Sequence, residues 1–186
     1  IQWSSMAHAF HGCRILAIPA VDTPDLSLVT DMSYMFAESE FFNTSIGHWD
    51  VSNITNLSYM FYDADSFNQD LDSWDTGNVT DMSHMFYKNN VFNQSLNNWN
   101  TGNVTDMSGM FNYAIAFNSD ISAWDTSSVI NMAGMFRNND SFTGNLGAWD
   151  TSSVEDMSWM FFDASLFNSD ISGWNTSSVI TMEGMF

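Results

Sequence analysis

The sequence predicts an α/β solenoid of 25-residue units, each holding one short parallel strand and one short helix. Three observations predict it. Trp49, Trp74, Trp99, Trp124, Trp149 and Trp174 recur every 25 residues. Phe36, Phe61, Phe86, Phe111, Phe136, Phe161 and Phe186 recur with the same period, each preceded by Met. Within a unit the apolar pattern changes period, and self-similarity at 20–50 residues is the mark of stacked repeat architectures.

Taken in order, residues 1–10 are a partial unit, with Trp3, Met6 and Phe10 where later units carry Val, Met and Phe. Residues 11–36 are a divergent unit, because Phe10 and Phe36 stand 26 residues apart; it holds the only two prolines, Pro19 and Pro24, which belong in turns or at an edge. Residues 37–186 are six regular units without insertion or deletion. The pattern runs to both ends of the sequence with no polar cap, so the expectation is a single array, 1–186, cut from a longer chain.

Each unit divides in two. Phe67, Leu71 and Trp74, separated by polar residues and bounded by Asp65-Ser66 and Asp75-Thr76-Gly77, predict a strand near 67–71 followed by a turn. Val79, Met82, Met85 and Phe86 then recur at i, i+3, i+6 and i+7, one face of a short helix. Asn78 is the expected cap, with Asp81 three residues on. A lone unit cannot bury this face, but stacked copies share a core; one unit contributes Phe92, Leu96, Trp99, Val104, Met107, Met110 and Phe111. The 14 methionines fill gaps between the rings.

Phe10-His11-Gly12-Cys13, preceded by Ala9 and followed by Ile15, Leu16, Ile18 and Pro19, resembles the treponeme-type leucine-rich repeat of BspA-like surface proteins. The regular units, W-[DN]-T-[SG]-[SN]-V-x-[DN]-M-x-x-M-F followed by F-N, resemble the related repeat of that family catalogued as a mycoplasma lipoprotein-associated domain of unknown function. The resemblance implies a leucine-rich-repeat-like right-handed superhelix in a secreted or cell-surface protein of adhesion or recognition. It implies no catalytic residues and no cofactor.

Charge narrows the partners. There are 22 acidic and 3 basic residues, a net charge of −19. Such a field repels nucleic acid, which is bound by replacing phosphate counterions with Lys and Arg, and suits cations or cationic partners. No apolar run approaches the roughly 18 residues of a membrane-spanning helix. The single cysteine, Cys13, excludes an intrachain disulfide.

Two kinds of site residue stand out. The amides Asn43, Asn68, Asn93, Asn118 and Asn168, with Thr143 the exception, form a structural ladder or, alternatively, a ligand-binding row. Two variable columns are the candidate binding surface: Tyr34, Tyr59, His84, Gly109, Gly134, Trp159 and Gly184, and, just after each Met-Phe pair, Ala37, Tyr62, Tyr87, Asn112, Arg137 and Phe162. From these, Tyr34, Tyr59, Tyr62, His84, Tyr87, Trp159 and Phe162 are the expected contacts, since aromatic side chains dominate binding surfaces. Aspartates after the tryptophans (Asp50, Asp75, Asp125, Asp150) belong to turns or helix starts. His8, His11, His48 and His84 occupy unrelated repeat positions with no metal-ligand spacing, and no serine has a His or Asp placed to activate it. The expected function is recognition of a protein or glycan through the broad faces. The alternative is a structural repeat of a surface layer or filament, assembling through ends or sides.

Overall fold

The computed structural model of the chain describes residues 3–14 and 23–186. Successive units stack with one rung every 25 residues. Isolated parallel bridges join Asp31 to Asn56, Asn56 to Asp81, Asp81 to Asp106, and so on to Thr181, with Ser5 bridged to Asp31 at the first rung. Among the described residues there is no helix and no multi-residue strand, so an α/β leucine-rich-repeat-like superhelix is not what forms. The predicted strand at 67–71 has no ladder; the predicted helix at 79–86 is a run of turns. Ile15, Leu16, Ile18 and Pro19 of the divergent motif lie outside the described residues.

The destination of each backbone N–H explains the difference. A helix would send every N–H back four residues along its own chain. Here Met82, His84, Phe86 and Lys88 send theirs across to Asp106, Ser108, Met110 and Asn112 of the next unit, at 2.8–3.0 Å. The residues between close tight turns instead: Met85 donates to Met82, Tyr87 to His84 and Asn89 to Phe86, at 3.0–3.3 Å. The alternation leaves no orphan donors, whereas a helix of two turns would leave four at its start. Asn78 caps nothing; its amide donates to the Ser52 carbonyl of the preceding unit at 2.7 Å. Asp81 accepts the Ser83 N–H at 2.8 Å in a side-chain turn.

The apolar columns nevertheless form one continuous core. Phe86 and Phe92 pack face to face within a unit (4.0 Å between centroids), and Phe86 stacks on Phe111 of the next (5.8 Å). Met82, Met85, Val79 and Leu96 are fully buried among them. Trp74, Trp99, Trp124 and Trp149 form a parallel column with centroids 6.3–6.5 Å apart. Each indole N–H donates backwards, Trp74 to Ile46, Trp99 to Leu71 and Trp124 to Leu96 at 2.9–3.1 Å, so the largest side chains also tie the units together.

Candidate functional site: a double aromatic row on the turn face

The site is built on the second turn of each unit. In residues 82–85 the N–H of Met85 returns to Met82, and His84, third in the turn, has φ +55°. A positive φ there is the type II requirement and is met without strain only by glycine. Gly109, Gly134 and Gly184 meet it so, at +59 to +61°. Tyr34, Tyr59 and Trp159 hold the same conformation at +55, +57 and +59° with large side chains attached.

The rings converge. Tyr34 and Tyr59 stack with centroids 4.4 Å apart, and Tyr59 and His84 at 4.5 Å. His8 extends the stack from the first rung, 4.7 Å from Tyr34. A second row lies beside it, with Tyr62 stacked on Tyr87 at 5.3 Å and Tyr113 edge-on beyond at 6.1 Å. Tyr59–Tyr62 (5.9 Å) and His84–Tyr87 (5.7 Å) join the two. The first row stops where His84 lies over Gly109: a Cβ on that glycine would come within 2.6 Å of the imidazole.

Tyr34, Tyr59, Tyr62, His84 and Tyr87 are therefore brought together. Trp159 and Phe162 are not with them; they form a separate pair in the same two columns, edge to face at 5.1 Å, beyond the interruption at Gly109 and Gly134. Arg137 lies over both, its guanidinium carbon 5.2 and 5.3 Å from the two ring centroids. Sequence reasoning missed His8 and Tyr113, and placed Arg137 in the second variable column without counting it among the contacts. It set His8 apart from His84, yet the two share one column once the 26-residue offset between His8 and Tyr34 is allowed for.

The face is polar at its margin. Burial pushes the Tyr59 hydroxyl up to about 12, with Tyr34 and the carboxylates of Asp81 and Asp106 adding to it. Burial holds His84 below the usual histidine range, against the pull of Asp106 and Asp81. Its Nδ1 is buried with no hydrogen-bond partner among the described residues. Beside the rows, Gly12, Arg14, Glu38, Glu40, Asp63 and Asp65 line an open cleft of about 340 Å³. Arg14 pairs with Glu40 at 3.1 Å, and His11 stands 3.7 Å from Glu38. Burial raises Asp63 above the ordinary carboxylate range; Asp65 and Glu38 add to this and Lys88 opposes it. Among the described residues no three His, Cys, Asp or Glu are grouped to hold a metal ion.

The asparagine column lies elsewhere in the unit and is occupied with backbone. The side-chain oxygens of Asn43, Asn68, Asn93 and Asn118 accept the N–H of Asn68, Asn93, Asn118 and Thr143 in the following unit at 2.9–3.1 Å. Gln69 and Gln94 add amide bonds to Asn43 and Asn68 at 2.9 Å. Asn168 is exposed and shows no such bond among the described residues. The aspartates after the tryptophans are turn residues, as Asp50 accepting from Ser52 N–H and O–H shows, and start no helix.

No curated protein and no solved structure gave a significant match to the chain. One family model does match, over residues 4–118 and again over 92–186, so that together the matches run nearly the length of the chain. The repeat skeleton and the family match agree: the chain belongs to the family described as Mycoplasma protein of unknown function, DUF285.

Proposed function

We propose that the chain is a binding module, secreted or displayed at a cell surface, that recognises a protein or glycan, and that the double row of Tyr34, Tyr59, Tyr62, His84 and Tyr87 is its contact surface. One observation carries the reading. Three units make the same turn with glycine, so the fold does not need a side chain at that position, yet Tyr34, Tyr59, His84 and Trp159 are held there in a conformation that disfavours them. A left-handed L-residue costs roughly 1–2 kcal/mol, and such strain clusters where a surface has work beyond folding. The resemblance to BspA-like surface proteins supports recognition and external display. Assembly into a layer or filament is the second reading, favoured by an exposed row of threonine over four successive rungs, Thr30, Thr55, Thr80 and Thr105.

The test compares the wild-type chain with Tyr34→Gly/Tyr59→Gly on glycan and peptide arrays. Glycine suits these backbone angles, so the variant keeps its turns. Ligands bound by the wild type and lost by the variant are expected. Ligands bound equally by both would remove the aromatic face from the reading. Concentration-dependent growth into rods in solution scattering, with no array ligand, would favour assembly.

A further inference from the structure

All three cations of the chain, Arg14, Lys88 and Arg137, lie along the turn face, although exposed acids are spread over every side of the unit. Lys88 Nζ sits 5.6 Å from the Tyr87 centroid. Arg137 lies across Trp159 and Phe162, and Arg14 reaches Glu40 in the neighbouring cleft. The face therefore already holds ammonium and guanidinium groups in two ways, over rings and against carboxylates. Rings attract cations at their faces, and the aliphatic stems of Lys and Arg cover apolar surface.

We infer that the partner of the double aromatic row is a basic peptide segment, whose Lys or Arg side chains lie along Tyr59, Tyr62 and Tyr87 with their charges toward Asp63 and Asp65. This rests on the binding reading above and adds the chemical class of the partner. Charge complementarity argues for it: four carboxylates, Glu38, Glu40, Asp63 and Asp65, line the cleft beside the rows against one cation, Arg14. Among the described residues Asp63 and Asp65 form no ion pair. The Arg14–Glu40 pair, with Arg14 79% and Glu40 39% exposed, is weak and readily exchanged. The stacking sets the mode of contact. Tyr34, Tyr59 and His84 cover one another's faces at 4.4–4.5 Å, so the partner's aliphatic Lys and Arg stems lie along ring edges rather than over ring faces.

The experiment is fluorescence anisotropy of a short labelled peptide alternating lysine and serine, at physiological salt, with an alternating glutamate–serine peptide as reference. Three variants accompany the wild type: Tyr59→Gly/Tyr62→Ser/Tyr87→Ser, Asp63→Asn/Asp65→Asn, and Asp120→Asn/Asp170→Asn, whose carboxylates lie off the face. Asparagine tolerates the left-handed φ of +53° at Asp63, so the second variant reports even if the first fails to fold. The first two should weaken lysine-peptide binding by about fivefold or more, and the third by less than about twofold. Equal weakening by all three would mean diffuse attraction and overturn the inference. So would wild-type binding of the lysine peptide no tighter than the glutamate peptide. Glycan or acidic ligands lost on Tyr34→Gly/Tyr59→Gly would overturn the basic partner while leaving the binding reading intact.

Discussion

Tyr34, Tyr59, His84 and Trp159 sit at φ between +55 and +59°, and the rings of His84 and Trp159 lie close against Gly109 and Gly184 of the following unit. Gly109 and Gly134 share that conformation but not those surroundings. A Cβ at Gly109 would come within 2.6 Å of His84, whereas at Gly134 the nearest atom is the Asn112 amide at 3.7 Å. Gly134→Ala is expected to cost only backbone strain, about 1 kcal/mol, and Gly109→Ala that strain plus a displaced imidazole, about 2–3 kcal/mol. Denaturant titration of both checks the difference. His84 makes a pH prediction. Its folded pKa is depressed by burial below the ordinary 6.5, so its stabilisation is full above 6.5 and is lost as pH falls through 6.5 toward the folded value. Replacing it in His84→Gly should remove that component from the pH dependence of the melting temperature. At this scale the core columns were legible, since every Val, Met, Phe and Trp of the unit 92–111 is buried. The left-handed positions were hidden because Tyr, His and Trp occupy one column and Glu38, Asp63, Lys88, Tyr113, Asn138 and Asp163 another; in the first, glycine at 109, 134 and 184 was the visible sign.

Turns, not helices or strands, are the elements of this fold. The spacing of Val79, Met82, Met85 and Phe86 fits a helix, but the segment spans barely two turns of one, too short for periodicity to discriminate and too short for a helix to be stable alone. Cross-unit bonds decide the matter, because each rung gains four backbone bonds that a helix would have kept to itself. Far-ultraviolet circular dichroism should accordingly lack the paired helical minima. The asparagine column is an element of the same kind. Asn68→Ala would strip the Asn93 N–H of its acceptor and Gln94 of its partner, at a cost of about 1–3 kcal/mol read from chemical denaturation. That column was visible in the sequence as a row. Which atoms it joined was not, since the acceptor is a side chain and the donor is backbone one unit away.

At the scale of the whole molecule, a stack of near-identical units carries −19 charges with three cations to offset them. Self-repulsion of this size destabilises a compact chain and is screened by salt. Raising ionic strength from low to physiological at pH 7 should therefore raise the melting temperature, while weakening the attraction of any basic partner. Acid works the other way. Asp50, Asp125 and Asp150 are held below the ordinary 3.8 by their Ser52, Ser127 and Ser152 hydrogen bonds, so their contribution is full above 3.8 and fades as pH falls through the lowered values. The period of 25 and the shared core were legible from two aromatic columns. The path of the chain between them was not, because it depends on hydrogen bonds between residues 24 to 28 apart that no local pattern encodes.

The central claim is that the aromatic side chains on the turn face are dispensable for folding and are therefore free to bind. Thermal unfolding of Tyr34→Gly/Tyr59→Gly/His84→Gly tests it directly, since the strain relieved and the stacking lost are of similar size, about 1 kcal/mol per ring. The account predicts one cooperative transition with a midpoint within about 5 °C of wild type. A lost or broadened transition would make the rings part of the scaffold and contradict it.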